Sequence, residues 1–192
     1  QSGLIQPVGR WAFAQAVTAQ ARWGRRLPRF KMGVNLSYLQ LEDDEFFPYM
    51  WETIQKAGAD PKQTILELTE SYLAANMERV ADRLRQVRRH GVRVAMDDFG
   101  TGYSSLGVLK QAPIDIAKID RTFVNGIQES AFDNAFLRMV VELCRVRGIS
   151  TCLEGMETEE QWRAAEPMHL DYVQGFLLGR PVPAGQFETQ FL

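Results

Sequence analysis

Residues 92–106 read Val-Arg-Val-Ala-Met-Asp-Asp-Phe-Gly-Thr-Gly-Tyr-Ser-Ser-Leu, and they hold the plan of the fold in one unit. Val92 to Met96 is a short, mostly apolar run of strand length. Asp97 and Asp98 end it, Gly100 and Gly102 open a turn, and a helical pattern runs from near Ser104 to Lys110. The same unit recurs on both sides. Apolar or β-branched runs span Phe30 to Leu36, Thr64 to Leu68, Ile114 to Ile119, Ile149 to Leu153 and Tyr172 to Leu177. Helical patterns lie near Pro7 to Trp23, Asp44 to Ala57, Asn76 to His90, Phe132 to Arg147 and Glu159 to Ala165, with Gly91 and Gly148 where C-caps belong. Alternating elements of this kind predict βαβ units and six parallel strands covered on both faces.

Composition limits what such a sheet can serve. The 192 residues carry 22 Lys+Arg against 24 Asp+Glu, and a net charge of −2 selects neither nucleic acid nor an anionic membrane. With 45% hydrophobic residues and no linker or low-complexity stretch, the chain reads as one folded domain over residues 1–192. No apolar run reaches the ~20 residues of a membrane span, and Gln1 to Arg10 lacks the pattern of a signal peptide, so a cytoplasmic location is expected. Two cysteines and two histidines, Cys144, Cys152, His90 and His169, cannot form a structural zinc site or a disulfide framework. Any metal must be held mainly by oxygen. A closed eight-stranded barrel needs ~250 residues, and the chain reaches its first helix near Pro7 without a preceding strand. The expectation is an N-terminally incomplete barrel.

The strand ends carry the chemistry. Asn35, Glu67, Asp97 with Asp98, Lys118, Glu154 and Gln174 stand at the C-terminal ends of the six runs, the edge where active sites of parallel α/β sheets form. Four carboxylates at one mouth, with Lys118 as the strand-end cation, need protons or bound cations to relieve their repulsion. Carboxylates and the Asn35 amide oxygen suit Mg²⁺ or Mn²⁺, and the adjacent Asp97 and Asp98 suit two ions, the arrangement that serves phosphodiester cleavage. The implied substrate is a phosphate ester. Glu70 and Glu157 each follow a candidate ligand by three residues and suit a supporting role.

Other features read as structure. The glycines of 100–105 invite comparison with a dinucleotide fingerprint, but Ser105 replaces its third glycine and two acids precede it; they better suit a loop beside a metal site, with Ser104 near the next helix N-cap. Arg79, Arg83, Arg85, Arg88 and Arg89 read as a solvated helix face ending in a His90 cap, and His169 lies outside any ligand spacing. Cys144 and Cys152 read as buried thiols, and Trp11, Phe13, Trp23 and Trp51 as core or interface filler.

The motifs Val34-Asn35-Leu36-Ser37, Glu67-Leu68-Thr69-Glu70-Ser71, Asp97-Asp98-Phe99-Gly100-Thr101-Gly102-Tyr103-Ser104-Ser105-Leu106, Lys118-Ile119-Asp120, Glu154-Gly155-Met156-Glu157-Thr158 and Gln174-Gly175-Phe176 resemble the EAL domain of cyclic di-GMP phosphodiesterases, in that order and spacing. The resemblance implies a TIM-like (β/α) barrel with one antiparallel strand, two Mg²⁺ or Mn²⁺ ions and hydrolysis of cyclic di-GMP to linear pGpG. It implies Asn35, Glu67, Asp97, Asp98 and Glu154 as metal ligands and Lys118 as the group that positions the attacking water. Gln174 would support the substrate, and Glu70 would anchor the loop after Asp98. A homodimer and flanking sensory or cyclase domains are also implied. The Glu-Ala-Leu motif and the first two strands of the family are absent from the sequence, as are one expected ligand and the usual Ala and Val around Glu154, where Leu153 and Met156 stand. A cyclic di-GMP receptor or interaction module with a degenerate EAL fold is the competing expectation.

Overall fold

Six strands form: β1 (Met32–Asn35), β2 (Thr64–Thr69), β3 (Arg93–Phe99), β4 (Ile116–Ile119), β5 (Ser150–Leu153) and β6 (Tyr172–Val173). The computed structural model describes residues 3–102 and 105–192; Tyr103 and Ser104, with the N-cap expected at Ser104, lie outside the described residues. Nine helices are described: α1 (Ile5–Gly24), α2 (Tyr38–Glu42), α3 (Phe46–Ala57), α4 (Glu70–Arg89), α5 (Ser105–Gln111), α6 (Thr122–Asn125), α7 (Ala131–Arg147), α8 (Glu159–Ala165) and α9 (Ala184–Phe191). They belong to two compact units, one of Gln1–Leu68, Glu78–Val94 and Ala184–Leu192, the other of Thr69–Met77 and Ala95–Pro183.

In the first unit β1 and β2 pair in parallel, with Asn35 opposite Glu67 at their C-terminal ends. The apolar face of α1 places Phe13 edge-on to Phe46 of α3, both fully buried. Trp23 packs between Phe30 and Phe187 of α9 and donates to Glu188 Oε1 at 2.9 Å. Trp51 stacks on His90 at 4.4 Å, while the His90 Nδ1 lies 2.9 Å from the Gln86 carbonyl. Trp11, expected as core or interface filler, is not core: it is 64% exposed, and Leu4 just before α1 and Val8 within it are exposed as well. The arginine face of α4 is engaged in surface ion pairs, Arg79 with Glu42, Arg83 with Asp44 and Arg85 with Asp82.

In the second unit β3, β4, β5 and β6 pair in that order, all parallel. Phe99, Ile119, Leu137, Val140, Leu153 and Met156 are buried. Cys144 and Cys152 are buried thiols, and burial, aided by the Asp171 charge, pushes Cys144 up to about 12. Gly148 closes α7 in the left-handed conformation, as its position predicts.

Of the boundaries that differ from the sequence reading, three matter for the site or have a local cause. β3 runs on through Phe99, with a register shift between Met96 and Phe99. α4 begins at Glu70, six residues before the expected start, and bends at Asn76, whose side chain donates to the Tyr72 carbonyl at 3.1 Å. β6 stops at Val173 because the chain folds over at Gly175, whose carbonyl accepts from Leu178 and Gly179. No described helix is long and apolar enough to cross a membrane.

Candidate active site

Consecutive strand residues point to opposite faces, so Asp97 and Asp98 on a regular β3 would diverge. The register shift before Phe99 prevents that. Asp98 takes up the irregularity in the left-handed region at φ 57°, a conformation tolerated by Asp but uncommon for non-glycine residues and concentrated at functional positions. Its carbonyl accepts from the Thr101 N–H and hydroxyl at 3.3 and 2.9 Å, which holds the turn. One carboxylate oxygen each from Asp97, Asp98 and Glu154 thereby lie within 4.8 Å of one another.

Glu154 leaves β5 with its N–H on the Ile119 carbonyl at 3.0 Å. Lys118, on β4 and 7% exposed, rises between the strands. Its Nζ lies 2.9 Å from Asp97 Oδ1 and 2.8 Å from Glu154 Oε1. One ammonium offsets one of three negative charges and leaves a net demand for cations. The Asp98 carboxyl is held above the usual range by partial desolvation first, then by the Asp97 charge, with Asp120 and Glu70 adding and Lys118 opposing. By surface area Asp98 is nevertheless exposed, so its carboxyl remains open to a bound cation.

The loop beyond Asp98 is held from two sides. Glu70, 1% exposed at the first position of α4, accepts the Gly100 N–H at 2.8 Å. Gly100 has φ 101°, and a Cβ there would sit 2.4 Å from the Phe123 ring. Phe123 in turn stacks on Phe136 at 4.7 Å. The sequence reading assigned no role to Phe123 or to Asp120; the signals were the glycine that makes room for the ring and the acid two positions after Lys118.

Gln174 is exposed just past β6, with its N–H on the Leu153 carbonyl at 2.9 Å. Glu157 is exposed at the entry to α8, where its N–H donates to Gln161 Oε1 at 2.7 Å alongside the Thr158–Gln161 capping box. In the first unit, Asn35 and Glu67 stand opposite each other, and the Leu36 N–H donates to the Glu67 carbonyl at 2.9 Å. The Glu67 carboxylate lies over Gly33, where a Cβ would be 2.1 Å from its Oε1. Lacking His and Cys, the carboxylate trio fits a hard divalent cation.

The EAL domain family profile matches residues 1–181. The chain is 34% identical over 191 residues to the Escherichia coli cyclic di-GMP phosphodiesterase PdeR, covering 100% of this chain and 29% of that protein. The structure of the PaMucR phosphodiesterase complex with c-di-GMP superposes with a TM-score of 0.90 at 35% identity, covering 97% of this chain and 76% of that chain. Klebsiella pneumoniae BlrP1, in its manganese and cyclic di-GMP complex, superposes at 0.84 with 27% identity, covering 94% of this chain and 46% of that chain. The chain spans 22% to 29% of the length of the first curated relatives it matches. The six parallel strands and their helices are those of a TIM-barrel-type α/β fold, and the chain belongs to the EAL domain family.

Proposed function

We propose that this domain hydrolyses cyclic di-GMP to linear pGpG as a metal-dependent phosphodiesterase. The observation that carries the reading is the convergence of Asp97, Asp98 and Glu154 within 4.8 Å, with the Lys118 ammonium on Asp97 and Glu154. In the reaction one water oxygen bonds to phosphorus, one ester P–O bond breaks, and the departing alkoxide takes up a proton. Asp97, Asp98 and Glu154 would hold divalent cations, Mg²⁺ or Mn²⁺, which when bound acidify water and stabilise charge on phosphoryl oxygens. The family resemblance assigns Asn35 and Glu67 to cation binding as well. Lys118 lies between two carboxylates and presents N–H donors to the attacking water or a phosphate oxygen. Gln174 orients the substrate, Glu70 holds the loop that follows the aspartates, and Glu157 supports the loop after Glu154.

The domain is read as a cytoplasmic module of a longer signalling protein, flanked by sensory or cyclase domains and able to pair with a second copy. A pure receptor would need no lysine poised between metal-binding acids, which favours turnover. The test is incubation of the full-length parent protein with cyclic di-GMP and Mn²⁺, with chromatographic detection of pGpG. Absence of product refutes the catalytic reading.

A further inference from the structure

We propose that the N-terminal edge of β1 and β2 is a docking face for an acidic segment of a partner protein, one that sets an apolar side chain between Asp or Glu residues. The net charge of −2 hides a strong asymmetry. Residues 1–41 hold six basic residues and no acidic one, which leaves 16 basic against 24 acidic residues in the rest of the chain. Arg10 and Arg22 are paired with Asp43 and Glu188. Arg25, Arg26 and Arg29, in the loop that enters β1, are exposed and have no ion pair among the described residues.

Two further loops bring cations to the same edge. The Gln63 side chain donates to the Pro28 carbonyl at 3.3 Å and the Gln20 side chain to the Asp60 carbonyl at 2.8 Å, which ties the loop entering β2 to the end of α1 and the loop entering β1. A Cβ on Gly91 would meet the Lys62 side chain at 3.5 Å, so the C-terminal end of α4, with Arg88 and Arg89 exposed, adjoins that loop as well. Lys62 and Arg89 also lack an ion pair among the described residues. Asp60 is the one acid in residues 25–31, 58–63 and 88–92, and one of its carboxylate oxygens already accepts the Lys62 N–H at 2.9 Å. The face therefore keeps a surplus of guanidinium forks, which match carboxylates and phosphates.

Shape decides between those anions. A cavity of about 300 Å³ opens among the loops, with Ala21, Gly24, Pro28, Phe30 and Gly58 in its wall beside Arg25. A bilayer surface or a duplex backbone has no side chain to fill it, and a peptide does. Phe30 lends the cavity an apolar wall, but its ring already packs against Trp23 and Phe187 and is committed to that cluster rather than to stacking a nucleobase. Asn35 and Glu67 stand at the opposite ends of β1 and β2, so a docked segment leaves their edge open.

Fluorescence anisotropy of the whole protein with a labelled synthetic peptide that repeats Glu-Glu-Leu tests the face. The peptide should bind, more weakly as salt rises. The double variant Arg25→Glu with Arg29→Glu should lose about tenfold or more in affinity, while Tm holds or rises because exposed like charges have been separated. A Glu-Glu-Ser repeat of the same charge should bind about tenfold more weakly than the Glu-Glu-Leu repeat, since the cavity then takes up no apolar side chain. Equal affinity of wild type and double variant refutes the face, and equal affinity for the two peptides refutes the cavity as its centre. Phosphatidylglycerol vesicles and duplex DNA are the rival partners: binding of either without binding of the Glu-Glu-Leu peptide overturns the assignment to a protein segment. Binding of none of the three overturns the docking face itself.

Discussion

Replacing Lys118 by Met keeps most of the stem volume and removes the ammonium that lies 2.9 Å from Asp97 and 2.8 Å from Glu154. Two carboxylates then face each other within 4.8 Å, a repulsion of about 3.5 kcal/mol at an effective dielectric constant of ~20. The folded variant can relieve it by taking up a proton. Starting from an ordinary carboxylate value near ~4.3, protonation costs about 3.7 kcal/mol at pH 7 and about 1 kcal/mol at pH 5. The cheaper route sets the loss. In metal-free buffer the variant should be less stable by about 3.5 kcal/mol at pH 7, or roughly 10 °C in Tm for a chain of 192 residues. At pH 5 the deficit should shrink to about 1 kcal/mol. The sign follows from linkage: the folded variant binds the extra proton more tightly than the unfolded chain, so stability is present at low pH and lost as pH rises. Circular-dichroism melts in EDTA at both pH values measure it, and Mn²⁺ should recover most of the deficit. Turnover should fall by ~10²-fold or more in kcat, the size typical of losing one positioned electrostatic group. An equal loss of stability at pH 5 and pH 7 would mean that lost packing, not charge, is responsible. A near-normal kcat with a lowered Tm would leave Lys118 as an ion-pair partner outside the mechanism.

Glu70→Ala removes a buried charged acceptor from the Gly100 N–H, worth about 1.5–3 kcal/mol; amide exchange at Gly100 should quicken and activity should drop further than cation affinity, and unchanged exchange would refute the anchor. Gly33→Ala places a methyl where the Glu67 carboxylate lies; because that neighbour is the end of a flexible side chain, Tm should move little while cation affinity or activity falls about tenfold or more, and unaltered titration with Mn²⁺ would count against Glu67 as a ligand. Asp43 is held below the usual range first by its hydrogen bond with Arg10 and also by the Arg83 charge. Its contribution is present above the ordinary carboxylate range and lost as pH falls through the lowered value. Urea midpoints should therefore show Asp43→Asn less stable than wild type at neutral pH, by under about 1 kcal/mol, with the two curves meeting in strong acid.

What could be read from the order of residues was whatever depends on local pattern. Val92–Met96, Ile114–Ile119 and Ile149–Leu153 are apolar because strands buried on both faces must be, and their spacing by helices dictates parallel pairing. The polar strand ends follow from the same pattern, so Asn35, Glu67, Asp97, Asp98, Lys118, Glu154 and Gln174 were legible as one set. The missed pieces depend on distant partners. Period-two alternation sends Asp97 and Asp98 apart, and the bulge with Asp98 at φ 57° that reunites them is visible only when β3 is paired with β4. Trp11 reads locally as core or interface filler, and only the tertiary packing shows that it is not core, since it stays 64% exposed. Phe123 and Phe176 read locally as ordinary apolar residues; one lies under Gly100 and the other projects from a loop locked on Met156. The α/β class, the parallel strands and the residue types at their ends are local properties, because backbone periodicity and burial act over a few residues. Which carboxylates meet, which lysine lies between them and which aromatic rings support the loops depend on contacts between positions twenty or more residues apart, made through strand register and side-chain packing.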